Sequence, residues 1–209
     1  MTHRTSKSHF AEPILVAFCG GKGHGKGTAA EILTRKYAFD QIEFADGLRK
    51  TVATALRCDV SWFTDPATKE EIDPRTGKSR RYWLQWIGTE GFRALWENVW
   101  VSWWSQEIED RGRATEQLMV TTTDLRFPNE LEAVRRMGER AIVIRVTNPH
   151  VTASSDAHLS EAHYTSFAVD YDITNDGTIR DLHRQVEDIV WEHFPKTMKS
   201  HFNRLCETP

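Results

Sequence analysis

The chain predicts an α/β fold in which helices flank a parallel sheet. Three observations point there. Ile14–Cys19 is an unbroken apolar run closed by glycine, the pattern of a strand covered on both faces. Leu118–Thr123 and Ala141–Thr147 are further strand-like runs, separated by stretches with helical periodicity. Strands that alternate with helices form βαβ units, and the strands of such units lie parallel.

Taken in order, residues 1–11 read as a polar tail. After the first strand, Gly20–Gly27 is a glycine-rich turn, and Thr28–Tyr37 carries Ala29, Ile32 and Leu33 on one helical stripe. Gln41–Phe44 reads as a short strand and Gly47–Leu56 as a helix, with Leu48, Val52, Ala55 and Leu56 at helical spacing. Thr64–Arg81 holds two prolines, a glycine and charges of both signs without apolar periodicity, so it reads as a loop or mobile flap, a small lid insertion. Tyr82–Leu95 and Asn98–Ile108 read as helices. Pro128–Met137 reads as another, closed by Gly138. Tyr171–Thr174 is the fifth strand, and Ile179–Phe194 is an amphipathic helix with Leu182, Val186, Ile189 and Val190 on one face. One domain is expected over residues 12–195, with a tail at 196–209.

Composition excludes several classes. The chain has 209 residues, of which 39% are hydrophobic, enough for a packed core and too many for a disordered chain. Lys+Arg 27 against Asp+Glu 30 leaves a net charge of −3, which argues against non-specific nucleic-acid binding. The run Pro13–Cys19 is too short to span a bilayer, and no signal-peptide pattern opens the sequence. Cys19, Cys58 and Cys206 fit neither a disulfide framework nor a zinc template, so a reducing cytoplasm is the expected location.

The strongest chemical signal is Gly20-Gly-Lys-Gly-His-Gly-Lys-Gly-Thr28, which contains G-x-x-x-x-G-K directly after a strand and before a helix. Glycines let the backbone wrap an anion with its N–H groups pointing inward, and the following helix adds the positive end of its dipole. Gly23, His24, Gly25, Lys26, Gly27 and Thr28 are therefore candidates to hold the phosphates of ATP. Lys26 supplies a mobile point charge to the β- and γ-phosphates. The hydroxyl residue that usually follows the lysine is replaced by Gly27.

Leu118–Asp124 ends an apolar strand in a carboxylate. Ligands of parallel sheets sit at the carboxyl ends of strands, so Asp124 is placed to order Mg²⁺ or its waters, with Arg126 two residues on.

These motifs resemble the bacteriophage deoxynucleoside monophosphate kinases of the T-even type. The resemblance runs from Phe18 to Val190. It is carried by Gly20–Thr28, Phe44-Ala-Asp-Gly-Leu-Arg49, Arg81-x-x-x-Gln85-x-x-Gly88-Thr89-Glu90 and Trp100-Val101. Further on come Asp124-x-Arg126-x-x-x-Glu130, Met137-Gly138, His158-x-x-Glu161 and Ile173-Thr-Asn-Asp-Gly-Thr178. It implies a P-loop kinase fold with a five-stranded parallel sheet. The implied reaction is transfer of the γ-phosphoryl of ATP·Mg²⁺ to a deoxynucleoside 5′-monophosphate, in the cytoplasm of the host for a viral chain. It implies that Lys22 joins Lys26 at the phosphates. It places Leu48, Arg49, Arg81, Gly88, Thr89 and Trp100 at the monophosphate substrate, and Asp124 and Glu130 as site acids. The family often has aspartate where Gly27 stands and Pro-Leu-Lys where this chain has Gly47-Leu-Arg49.

Trp96, Trp100, Trp103 and Trp104 recur at one helical face, which suits a core or an interface between two copies of the chain. Trp100 alone also matches a place beside the nucleoside, where its ring would stack on a base. His158, Glu161 and His163 read as a loop ordered by hydrogen bonds rather than as a metal cluster. Asn175–Thr178 reads as a turn and helix cap, the cap at Asp176 or Thr178, and the resemblance adds a place beside the adenine. Two other functions stay open: a kinase acting on a modified base in DNA, using Arg75, Lys78, Arg80 and Arg81 as a basic stripe, and a non-catalytic nucleotide-binding protein.

Overall fold

The computed structural model describes residues 13–151 and 163–207. The chain divides into two compact units, residues 43–107 and the remainder.

The first unit is built on a five-stranded parallel sheet. Its strands are β1 (Ile14–Cys19), β2 (Asp40–Gln41), β5 (Met119–Thr122), β6 (Ala141–Thr147) and β7 (Tyr171–Thr174), in the spatial order β2-β5-β1-β6-β7. β1 is central, pairing with β5 on one side and β6 on the other, and all six of its residues are buried. This is the two-sided burial expected of its apolar run. Helices α1 (Lys26–Tyr37), α7 (Ile179–His193) and α8 (Pro195–Glu207) supply one core. Ala29, Ala30, Leu33 and Tyr37 of α1 pack with Val16, Phe18, Ile142, Ile144 and Val146 of the sheet and with Leu182, Val186 and Val190 of α7. Burial pushes the Cys19 thiol up to about 11, so this cysteine is a packing residue and stays un-ionised.

α6 (Pro128–Arg135) leads from β5 toward β6, and Gly138 takes a left-handed φ of 62° just beyond it, as the glycine stop predicts. The fold follows the sequence expectation of a parallel sheet flanked by helices, with two boundary changes. β2 stops at Gln41, because the Glu43 N–H donates to Asp46 Oδ2 at 2.9 Å and the chain turns there. The segment expected to trail from residue 196 is the helix α8. Its Met198 is fully sunk in the core, a turn after Phe194. The expected tail at 1–11 lies outside the described residues.

The second unit begins with α2 (Asp46–Leu56), followed by a 3₁₀ turn at Val60–Phe63. Thr64–Arg81 is not a structureless loop. It forms α3 (Pro66–Glu70), a hairpin of β3 (Ile72–Asp73) with β4 (Lys78–Ser79), and the start of α4 (Arg80–Gln85). Capping and turn chemistry replace apolar periodicity here. Asp65 caps α3 by accepting from the Ala67 N–H at 2.9 Å, and Ser79 caps α4 by accepting from the Tyr82 N–H. Hydrogen bonds from Arg75 hold the Asp73 carboxyl down at about 2. Arg80 is buried, donates to the Thr68 carbonyl at 2.6 Å and to Glu71 at 2.9 Å, and lies 4.4 Å from the Trp62 ring centroid. α4 runs into a π-helix at Trp86–Arg93, and the unit ends within α5 (Val99–Arg113), at Glu107. Leu48, Val52, Ala53, Phe63 and Trp100 form the unit's core.

A polar network ties α1 to α7. Tyr37 Oη and Lys36 donate to Glu187 Oε1, and Trp191 Nε1 donates to Tyr37 Oη at 3.0 Å. Burial works against the charged form of Glu187, but the bonds from Lys36 and Tyr37 outweigh it and hold the pKa below its ordinary value. A folded-state pKa below the unfolded one gives stability that is full above the unfolded value and lost as pH falls through the folded one. Glu187→Gln is expected to lower stability at neutral pH by about 1–3 kcal/mol. It should also shrink the loss of stability on acidification below about pH 4.3. Denaturant titrations across pH check this; an unchanged acid limb would contradict it.

Candidate active site

The carboxyl ends of the parallel strands gather the sequence-predicted phosphate loop and its neighbours on one edge of the sheet. β1 and β5 are in parallel register with Ala17 opposite Thr122, so the loop after Cys19 and the Asp124 segment leave at the same edge. β6 and β7, in register with Thr147 opposite Thr174, deliver Asn175 there as well.

The loop Gly20–Gly25 holds three glycines at positive φ, Gly20, Gly23 and Gly25, and the first and last are also closely packed. Gly20 has φ 143°, and a Cβ there would run into the Val146 carbonyl oxygen. Gly25 has φ 97° and serves as the left-handed N-cap of α1, and a Cβ there would run into Asn175 Nδ2. Lys26 Nζ curls over the loop and donates to the carbonyls of Gly20 and Gly21, at 2.8 Å each. His24 Nδ1 lies 3.2 Å from the Val146 carbonyl oxygen, which makes it the protonated nitrogen. His183 Nε2 likewise donates to the Thr28 carbonyl at 2.8 Å, fastening the first turn of α1 to α7. Lys22, Gly23 and Gly27 are exposed on the loop, while Thr28 is half-buried.

Beyond β5, Asp124 Oδ1 accepts from Thr122 Oγ1 at 3.2 Å. Glu130 is almost wholly buried, and its Oε2 accepts from the backbone N–H groups of Arg126 at 2.8 Å and Phe127 at 3.0 Å. It is thus the anchor of the α6 N-terminus, and the side chain of Arg126 is exposed. Among the described residues, no three His, Cys, Asp or Glu side chains are grouped to hold a metal ion. His158 and Glu161 lie outside the described residues, and the His163 ring is 6.3 Å from that of Phe127.

In the second unit, Arg49 Nη1 donates to Asp46 Oδ1 at 2.7 Å, from a mostly buried position. Arg81 Nε pairs with Glu70. Leu48 and Gly88 are buried in direct contact, and Thr89 is half-buried beside them on the π-helix. Trp100 is 5% exposed, and its Nε1 donates to the Gly88 carbonyl at 3.2 Å. Its ring is a core element that fixes Gly88. The structure divides the tryptophan set. Trp104 is buried against Phe44 with ring centroids 4.5 Å apart, Trp103 is half-buried under Lys50, and Trp96 is exposed. The basic stripe is not free charge: Arg75 pairs with Asp73 and Arg80 with Glu71, and Lys78 lies over the Tyr82 ring.

Sequence reasoning missed the part played by Asn175. The α7 cap expected at Asp176 or Thr178 is Thr178, accepting from the Asp181 N–H at 3.2 Å while Asp181 accepts in return. The signal available was an asparagine directly after a strand that ends beside the glycine loop.

A glycine loop of this shape at the carboxyl edge of a parallel sheet, with a lysine curled over it and a carboxylate beyond the neighbouring strand, defines a P-loop phosphotransferase. Residues 67–186 match the sequence profile of the deoxynucleotide monophosphate kinase family, and the chain belongs to that family. It is a nucleoside monophosphate kinase by class. It is 29% identical over 188 residues to a protein of Acanthamoeba polyphaga mimivirus named "Putative deoxynucleotide monophosphate kinase", covering 85% of this chain and 96% of that one. Similar solved structures include one from Thermus thermophilus (18% identical, 87% of this chain and 98% of that one, TM-score 0.49). Another is the shikimate kinase of Aquifex aeolicus (13% identical, 87% and 99%, TM-score 0.48).

The loop geometry makes a direct expectation. Gly25→Ala places a Cβ against Asn175 on a backbone that L residues rarely adopt, which costs about 1–3 kcal/mol. Calorimetric titration of the folded variant with ADP·Mg²⁺ should give no measurable binding. Wild-type affinity would contradict the assignment of the loop.

Proposed function

We propose that the chain transfers the γ-phosphoryl of ATP to a deoxynucleoside 5′-monophosphate, giving ADP and the deoxynucleoside diphosphate. The observation that carries this reading is the glycine loop with Lys26 over it, in a chain of the deoxynucleotide monophosphate kinase family. An oxygen of the acceptor phosphate attacks the γ-phosphorus, and the bond from that phosphorus to the β–γ bridging oxygen breaks. The acceptor oxygen is already ionised at neutral pH, so the protein's task is positioning and charge neutralisation rather than proton removal.

The backbone N–H groups from Gly23 to Thr28 would cradle the donor phosphates. Lys26 would leave the carbonyls of Gly20 and Gly21 for phosphate oxygens, with exposed Lys22 as a second cation. Bound Mg²⁺ supplies further charge neutralisation and orientation. Asp124 suits it, because this ion is commonly held by one or two carboxylates while phosphates and water provide the remaining oxygens. Arg126 is proposed for the transferring group, its backbone held by Glu130. In the second unit, Arg49 and Arg81 are proposed for the acceptor phosphate, each exchanging a carboxylate partner for it. Leu48, Gly88 and Thr89 are proposed for the nucleoside, with Trp100 acting through Gly88. The motif order from Phe18 to Val190 supports a relation to the phage enzymes of the T-even type. The net charge of −3 and the carboxylate partners of Arg75 and Arg80 favour a small-molecule acceptor over duplex DNA.

The test is a coupled ADP-release assay with ATP·Mg²⁺ and a panel of deoxy- and ribonucleoside monophosphates, modified pyrimidines included. Turnover dependent on one or a few deoxynucleotides is expected. Bound ATP without acceptor-dependent turnover would overturn the reading. Lys26→Ala should lower turnover by at least about 10²-fold with the fold intact, as loss of one preorganised charge on the transferring group does. Near-normal activity in that variant would remove the lysine from the mechanism.

A further inference from the structure

Asn175 ties the phosphate loop to the edge of the sheet. Its backbone N–H donates to the Thr147 carbonyl at 2.7 Å, which extends the β6–β7 pairing by one residue and fixes the Asn175 backbone. From that fixed point, Nδ2 donates to the carbonyl of His24 at 3.1 Å. The His24 ring reaches the same edge, with Nδ1 3.2 Å from the Val146 carbonyl oxygen. His24 is therefore held twice, through its main chain by β7 and through its ring by β6. The absence of a Cβ on Gly25 is what lets the carboxamide come this close.

The consequence follows from peptide geometry. The His24 carbonyl and the Gly25 N–H belong to one planar unit, and in a trans peptide they point in opposite directions. A bond that draws the carbonyl toward Asn175 turns the Gly25 N–H away from it. We propose that Asn175 is a positioning residue for the donor nucleotide: its carboxamide sets the His24–Gly25 peptide so that the Gly25 N–H faces the bound polyphosphate. This rests on the reading of the loop as the donor-phosphate cradle. It goes beyond that reading in assigning loop orientation to a side chain on a distant strand. Asn175 acts on phosphate through the loop, not on the base by contact.

The test uses the full chain and three probes: ADP·Mg²⁺, tripolyphosphate·Mg²⁺ and adenosine. Asn175→Ala keeps the main-chain bond to Thr147 and removes the bond to His24. It is expected to weaken both ADP and tripolyphosphate by about tenfold, the worth of one well-placed hydrogen bond. Adenosine binding should be unchanged, and the KM of the acceptor should stay within about twofold of wild type. Asn175→Ser, whose hydroxyl is too short to reach His24, should behave as Asn175→Ala and replaces it if the alanine variant does not fold. Wild-type affinity for tripolyphosphate in the variant would overturn the proposal, and a loss confined to ADP and adenosine would place Asn175 on the base instead. A wild-type chain that binds tripolyphosphate but shows no acceptor-dependent turnover defeats the kinase reading and leaves the positioning role to be judged by the same titrations. A wild-type chain that binds no polyphosphate defeats both.

Discussion

The fit of a bare backbone loop against the edge of a parallel sheet is the constraint on which the rest of this structure depends. Gly20 and Gly25 sit where no side chain fits, one against the Val146 carbonyl and the other against the Asn175 carboxamide. A loop made to bind an anion must spend its N–H groups on the ligand, so its shape has to be enforced from its carbonyls and side chains. That is where the enforcing contacts fall: the His24 carbonyl on Asn175, the His24 ring on Val146, and the Thr28 carbonyl on His183. The five-stranded sheet and the α1–α7 core are the rigid body that makes such enforcement worth having.

The two units solve their packing differently. The first is aliphatic and regular: strands of isoleucine and valine between helices with clean stripes. The second is small and rich in aromatic and arginine side chains. Arg80 between Glu71, the Thr68 carbonyl and the Trp62 ring substitutes for a hydrophobic centre in the insertion, and Trp100 joins the helical core to the π-helix through Gly88. π-helical turns place side chains out of the ordinary register and recur at functional sites. The one here carries Gly88 and Thr89, both proposed for the acceptor.

The elements with one dominant signal were legible in the sequence. Ile14–Cys19, Ala141–Thr147 and Tyr171–Thr174 are strands over the residues expected, because each is an apolar or alternating run bounded by polar or glycine punctuation. The glycine loop and the placement of Asp124 after a strand were equally readable, since both follow from strand order. Thr64–Arg81 was not, because its order comes from Asp65, Asp73, Ser79 and Arg80 making local polar contacts that leave no periodic trace. α8 was missed because its segment is mostly polar, with few apolar residues such as Met198 and Phe202, and the second of these is exposed. Within the site, sequence spacing named Glu130 and Trp100 but not their mode of action. One holds the backbone of Arg126 and the other holds Gly88, and both depend on contacts that appear only when the chain is folded.

The most direct test of this account is a structure of the full chain with ADP and Mg²⁺ bound. The account expects the β-phosphate oxygens within hydrogen-bond distance of backbone N–H groups between Gly23 and Thr28. It also expects Lys26 Nζ to have moved from the carbonyls of Gly20 and Gly21 to a phosphate oxygen. ADP bound away from this loop, or bound there with Lys26 still on those two carbonyls, would contradict it.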